Sequence, residues 1–166
     1  MAEHSPMVGI LMGSESDVDA MRPCRELLEE LGVACEVRIA SAHRTPDLVA
    51  EYAASAAERG LKVLIAGAGA AAALPGVVAA HTHLPVIGVP IDATPLRGVD
   101  ALYSMVQMPF GVPVATVSIN GAKNAAVLAA RILALSDPAL GERLEQMSQA
   151  SRTQVQQADE RVRSGR

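Results

Sequence analysis

Tryptophan is absent from this 166-residue chain, and only one phenylalanine and two tyrosines are present. That leaves no aromatic platform on which the bases of single-stranded nucleic acid, or sugar rings, would stack. Positive charge is also scarce, with 14 Lys and Arg against 18 Asp and Glu for a net charge of −4, and no basic cluster stands ready to neutralise a phosphate backbone. Nucleic acid is therefore not an expected partner. The two cysteines, Cys24 and Cys35, form no CxxC and have no histidines at zinc-binding spacing, so neither a disulfide framework nor a metal centre is expected. No apolar run approaches the ~18 residues of a membrane span, and the opening MAEHSPM lacks the basic start and apolar stretch of a secretory signal. A cytoplasmic protein with no membrane attachment is the expectation.

Half of the residues are hydrophobic and 19% are charged, with 13 Gly and 10 Pro, a globular composition for one domain over residues 1–166. Met7 to Met12 is a short apolar run ending at Gly13, the pattern of a strand buried on both faces. A helix follows, capped by Ser16 or Asp17, with Met21, Cys24, Leu28 and Leu31 at helical spacing until Gly32, and with Pro23 in its first turns. Val33 to Ala40 reads as a second strand. Thr45 to Arg59 reads as a helix with Pro46 near its first position and Gly60 past its end.

Strands at Leu61–Ala66, Val86–Ile91 and Val114–Ile119 alternate with helices around Leu74–Ala80 and Val99–Val106. Such alternation implies a parallel sheet covered on both faces: a flavodoxin-like, doubly wound three-layer αβα sandwich with its core over about residues 7–135. Asn120–Leu135 is an Ala-rich helix, and Ser136 to about Arg163 is an extra C-terminal helix. Its seam of Leu140, Leu144, Met147, Val155, Ala158 and Val162 is thin. A helix so poor in large apolar residues, added after the sheet is complete, suits docking on a neighbouring subunit of a homo-oligomer.

In such folds ligands bind at the carboxyl ends of the strands. The first strand ends in Gly13-Ser14-Glu15-Ser16-Asp17, where helix N-terminal N–H groups and two hydroxyls suit a phosphate and the Asp17 carboxylate suits ribose. Ser14 and Asp17 equally fit a capping box. The second strand ends in Ser41-Ala42-His43-Arg44-Thr45-Pro46, a proton carrier beside a forked cation, or simply two surface residues. After the third strand, Gly67, Gly69 and Ala72 fit GxGxxA, and Asp92 stands where a dinucleotide fingerprint has its ribose-binding acid. The other reading of that stretch is a tight loop whose small residues allow close approach to the backbone. His81 and His83 have no acidic or thiol neighbours and suit solvent, while Asn124 either caps the Ala-rich helix or faces a ligand.

Taken in order and spacing, MGSESD, SAHRTPD, IAGAGAAAALPG, PVIGVP, GVDALYSMVQMPFGVPVAT and NAAVLAARIL resemble the N5-carboxyaminoimidazole ribonucleotide mutases, the class I PurE family of bacterial purine biosynthesis, over nearly everything from Val8 to Leu135. The resemblance implies a flavodoxin-like subunit of a homo-octamer, with active sites at subunit junctions and a small-molecule ribonucleotide as substrate. It implies transfer of a carboxylate from the exocyclic nitrogen to C4 of the imidazole without ATP, metal, biotin or any other cofactor. By motif, Ser14, Ser16 and Asp17 would hold phosphate and ribose, Arg44 the phosphate, and His43 would be the general acid and base. Ala68 and Gly69 would form the wall beside the imidazole.

Where the family usually reads GAGGAAHLPG, this chain has Ala70 for a glycine and Ala73 for the histidine, and His81 replaces a usual lysine nearby. If position 70 requires positive φ, alanine costs about 1 kcal/mol there. These departures keep open a paralogue that carboxylates or decarboxylates aminoimidazole ribonucleotide or a related nucleotide, and the GxGxxA pattern a noncatalytic nucleotide-binding module.

Overall fold

The computed structural model describes residues 5–165. Five parallel strands, β1 (Val8–Met12), β2 (Cys35–Ile39), β3 (Val63–Ala68), β4 (Val86–Pro90) and β5 (Ala115–Thr116), form one sheet in the order β2-β1-β3-β4-β5. The helices between and after them are α1 (Val18–Glu30), α2 (Pro46–Ser55), α3 (Leu74–Ala80), α4 (Val99–Val106), α5 (Ala122–Ala134) and α6 (Pro138–Arg163). This is the flavodoxin-like order, in which the chain leaves β1 in one direction to β2 and returns on its other side to β3.

The three central strands are buried along their whole length, which is why they read as unbroken apolar runs. Ile10 pairs with both Val37 and Ile65, and Ile65 in turn with Ile87. Alternate side chains divide between two cores. Ile10, Ile65 and Ile87 pack with Met21, Leu28, Ala126 and Ala130 of α1 and α5, while Leu11, Leu64 and Ala66 pack with residues of α2, α3 and α4 such as Val49, Val78 and Met105. Ala122, Ala125, Ala126, Ala129 and Ala130 of α5 are buried, so their small side chains set a close approach of that helix to the sheet and α1.

Several boundaries differ from the sequence reading. The first helix begins with a single 3-10 turn over Glu15–Asp17 before α1. β3 starts later and extends through Ala68, because Ala68 still pairs with Pro90 of β4. The α-helical part of α2 ends at Ser55. β5 is only two residues long, since Pro113 has no N–H for a ladder and the chain then follows β4 through isolated bonds, Val117 N–H to Gly88 (3.1 Å) and Asn120 N–H to Pro90 (2.8 Å).

α6 is tied down only at its start. The Asp137 carboxylate accepts the Leu140 N–H at 3.0 Å, Leu140 is fully buried, and Arg143 Nε donates to the Leu31 carbonyl oxygen at 2.8 Å. From Ser148 onward every described residue is exposed, Val155 and Val162 included. Among the described residues no helix is long and apolar enough to cross a membrane.

Candidate active site

The carboxyl ends of β1, β2 and β3 open into one cleft of about 450 Å³. The seven residues that the resemblance assigns to the site, Ser14, Ser16, Asp17, His43, Arg44, Ala68 and Gly69, all line it. The parallel sheet brings them together: β1 and β2 run side by side with Met12 opposite Ile39, so the turns that leave those two strands emerge next to each other.

The turn after β1 is built on Ser14, whose Oγ accepts from the Ser16 N–H at 3.4 Å and from the Ser16 hydroxyl at 3.1 Å. Ser14 thus both caps the 3-10 turn and lines the cleft, whereas the cap expected from Ser16 or Asp17 is not made: Asp17 precedes α1 without a side-chain cap bond. Asp17 is buried, at 8% exposure. Burial pushes its carboxyl above the ordinary value, against the opposing pull of the Ser16 hydroxyl, the Ser14 and Gly13 backbone and the Arg44 guanidinium.

The turn after β2 is closed by reciprocal bonds between its ends: Ser41 N–H donates to Thr45 Oγ1 at 2.9 Å, and the Thr45 hydroxyl returns to the Ser41 carbonyl oxygen at 3.2 Å. Arg44 Nε donates to Ser41 Oγ at 3.3 Å, and its Nη2 to the Gly13 carbonyl oxygen at 2.8 Å. The guanidinium is thus fixed from behind, bridging both turns, and His43 is exposed on the same cleft. Ser41 is a lining residue to which the sequence reading gave no role, and its signal is the Ser-x-x-x-Thr spacing that closes the turn.

The remaining wall is of mostly small residues: Ala68 at the end of β3, Gly69 and the alanines 70–73 after it, Leu74 at the start of α3, and Ala93 after β4. Gly69 is glycine for a reason of space, since a Cβ there would lie 2.5 Å from the Ala93 Cβ. The expectation about position 70 is corrected: the left-handed residue of this loop is Ala71, at φ 46°, so Ala70 pays no such strain. Ala73 lines the cleft with a methyl group in place of the resemblance's imidazole.

The dinucleotide pattern is not assembled. Asp92 is exposed and outside the cleft lining, and the seven-residue α3 begins only at Leu74, beyond the loop that follows Gly69. His81 and His83 face solvent beyond α3. Asn124 is exposed on α5, away from the cleft. Among the described residues no group of three or more His, Cys, Asp or Glu is arranged to hold a metal. Cys24 and Cys35 are free thiols, and burial pushes the Cys24 thiol up to about 12.

The sequence profile of the family described as AIR carboxylase matches residues 7–154. The chain is 53% identical over 157 residues to the N5-carboxyaminoimidazole ribonucleotide mutase of Thermotoga maritima, covering 95% of this chain and 92% of that one. It is 56% identical over 155 residues to the protein of the same name from Synechocystis, covering 93% and 88%. It is 60% identical over 136 residues to the phosphoribosylaminoimidazole carboxylase of Schizosaccharomyces pombe, covering 82% of this chain but 25% of that longer protein. Among solved structures, a variant of Treponema denticola PurE2 superposes with a TM-score of 0.87 at 30% identity, covering 96% of this chain and 99% of that one.

Proposed function

The chain belongs to the AIR carboxylase family, and we propose that it is an N5-carboxyaminoimidazole ribonucleotide mutase of de novo purine biosynthesis, an isomerase that moves the carboxylate from the exocyclic nitrogen to C4 of the imidazole. One observation carries the reading. A histidine, an arginine, two serine hydroxyls and a buried carboxylate converge on a single cleft with an alanine wall, in a chain matching such mutases along more than nine-tenths of its length.

In this reading the Ser14 and Ser16 hydroxyls and the free edge of the Arg44 guanidinium take the phosphate, and Asp17 accepts from the ribose hydroxyls. The protonated His43 imidazole gives its proton to the carbamate nitrogen. The N–C bond breaks, its electron pair stays on nitrogen, and CO2 is released beside aminoimidazole ribonucleotide. That aminoimidazole is an enamine, so C4 attacks the CO2 carbon and forms the new C–C bond. Neutral His43 then takes the proton from C4, which restores the ring and the imidazolium. An imidazole nitrogen donates a proton in its charged form and accepts one in its neutral form, so one side chain serves both transfers. The wall of Ala68, Gly69 and Ala93 keeps water from the CO2 between the two steps.

In the same reading the chain is one domain whose core is residues 7–135 and whose helix 136–163 docks on other subunits of a cytoplasmic octamer. Two features support assembly. α6 projects with its distal apolar residues exposed, and α4 with its flanks presents Leu96, Val99, Tyr103, Val106 and Phe110 to solvent at helical spacing. Light scattering on the purified protein should give the mass of an octamer.

A second reading, direct carboxylation of aminoimidazole ribonucleotide by free CO2, draws on the match to the fission yeast carboxylase. A coupled assay separates the two. The mutase converts N5-carboxyaminoimidazole ribonucleotide to the C4-carboxylated product without added bicarbonate, faster than the nonenzymatic background. No conversion by folded protein overturns the mutase, and product formed from aminoimidazole ribonucleotide only with bicarbonate establishes the carboxylase.

A further inference from the structure

Ala93 closes the cleft against Gly69, so whatever fixes Ala93 sets the width of the site beside the reacting carboxyl group. Packing does not fix it, because Asp92 and Ala93 are both exposed. The parallel ladder does not reach it either. Its last bond at this edge is from the Ile91 N–H to the Ala68 carbonyl oxygen, at 2.9 Å.

The next anchor comes from a different element. Asn120, in the turn that enters α5, accepts the Asp92 N–H on its Oδ1 at 3.0 Å and donates its own N–H to the Pro90 carbonyl oxygen at 2.8 Å. One residue thus grips the end of β4 on both sides of Ile91. The far end of the loop is closed as well. The Thr94 hydroxyl donates to the Asp100 carboxylate (3.1 and 3.2 Å) and accepts from the Leu96 N–H at 3.1 Å. Gly98, at φ 81°, lies so close to residue 119 that a Cβ would stand 2.7 Å from Ile119 Cγ2.

Asparagine meets two demands at position 120. Its backbone is left-handed, at φ 56°, a conformation that asparagine tolerates better than most residues, and its side chain supplies the acceptor. Glycine would keep the first property and lose the second, aspartate would keep both, and alanine would keep neither.

We propose that Asn120 is a positioning residue for the reaction, holding Ala93 against Gly69 through the Asp92 N–H while itself standing outside the cleft. The inference rests on the mutase reading for what the wall does, and on the hydrogen bonds alone for what holds it. Because Asp92 is exposed, its N–H rehydrates when the acceptor is removed, so stability changes little while the wall loosens. A displacement of about 1 Å in a reacting site reduces rate by as much as about a hundredfold. The phosphate subsite, on the turns after β1 and β2, is untouched.

The test compares Asn120→Gly, Asn120→Asp and the wild type in kcat, KM, Tm and the nuclear Overhauser contact between the Ala93 methyl group and the Gly69 α-protons. Asn120→Gly is expected to lower kcat on the order of tenfold or more, with KM within about twofold, Tm nearly unchanged and the methyl contact weakened. Asn120→Asp should restore kcat and the contact. Wild-type kcat in Asn120→Gly, or equal losses in the glycine and aspartate variants, overturns the proposal. So does a lowered Tm with the methyl contact and kcat intact, which is a structural role only. If the wild type itself shows no mutase activity, the functional reading fails, and the methyl contact alone still decides whether Asn120 holds Ala93.

Discussion

Arg44 Nη2 donates to the carbonyl oxygen of Gly13 at 2.8 Å, a bond that spans 31 residues of sequence and ties the turn after β2 to the turn after β1. With Nε also on Ser41 Oγ, the guanidinium is oriented before any ligand arrives, so little rotamer entropy remains to be lost on binding. Arg44→Lys keeps the charge and loses the fork. KM for the nucleotide should rise about tenfold or more, equivalent to about 1.4 kcal/mol, with Tm nearly unchanged. Steady-state kinetics beside a thermal melt checks this, and an unaltered KM would remove Arg44 from the phosphate subsite.

His43 lines the cleft without belonging to either core. His43→Asn should therefore lower kcat by about 10²–10⁴-fold, the usual range for a lost general acid and base, and leave nucleotide binding in place. Calorimetric titration with a ribose 5-phosphate nucleotide, run beside the turnover assay, distinguishes this from a loss of binding.

Asp17 links stability to pH. Because burial raises its carboxyl, the folded protein above that raised value carries a desolvated charge that the unfolded chain carries in water. The folded state binds the proton more tightly, so this group's contribution is fully present below the ordinary value of 3.8 and is lost as pH rises through the native one. Asp17→Asn should melt a few degrees higher at pH 7, converge with wild type in acid, and bind the nucleotide more weakly. Melting curves across that range carry the test.

Glu36 runs in the opposite direction. Burial works against its charge, but the Arg59 guanidinium at 2.5 Å and the Tyr52 hydroxyl at 2.7 Å, with Arg38 nearby, outweigh it and hold the carboxyl below its ordinary value. Arg59 also lies 4.4 Å from the Tyr52 ring centroid, so this trio fastens α2 and the turn after it to edge strand β2. Glu36→Gln should cost about 1–2 kcal/mol at neutral pH. The difference should shrink as pH falls below 4.5, the ordinary value, towards the lowered native one.

Gly69→Ala places a methyl group where the Ala93 Cβ already stands, 2.5 Å away. Overpacking of this kind costs about 1–3 kcal/mol and should depress kcat with it. Ala70→Gly is the contrasting variant. Since Ala70 is not left-handed, removing its side chain only loosens the unfolded chain, and stability should fall by up to about 1 kcal/mol rather than rise. Paired denaturant titrations measure both.

Much of the architecture was legible in the sequence because its causes are local. β1, β3 and β4 are buried on both faces, so their residues had to be apolar without interruption. α3 and α4 fall within the stretches where the sequence places them, Leu74–Ala80 and Val99–Val106. The cleft residues of the first two turns were legible because a parallel sheet delivers its ligands to the carboxyl ends of its strands, and GSESD and SAHRT stand there.

Contacts between distant segments required the tertiary structure. Which alanine of the 70–73 loop turns left-handed is decided by where β3 and α3 hold its two ends, and composition offers no preference among identical residues. The two-residue length of β5 follows from how the chain after Pro113 meets β4. That Gly69 abuts Ala93, and that Asn120 reaches Asp92 across 28 residues of chain, depends on the spacing of β3 and β4 and on the close seat of α5. Periodicity and strand burial make the layers, and the chemical groups at the mouth of the sheet, readable from the residues alone. The shape of the alanine wall is not readable in that way, because it is set by approaches between backbones far apart in the chain, which leave no periodic trace.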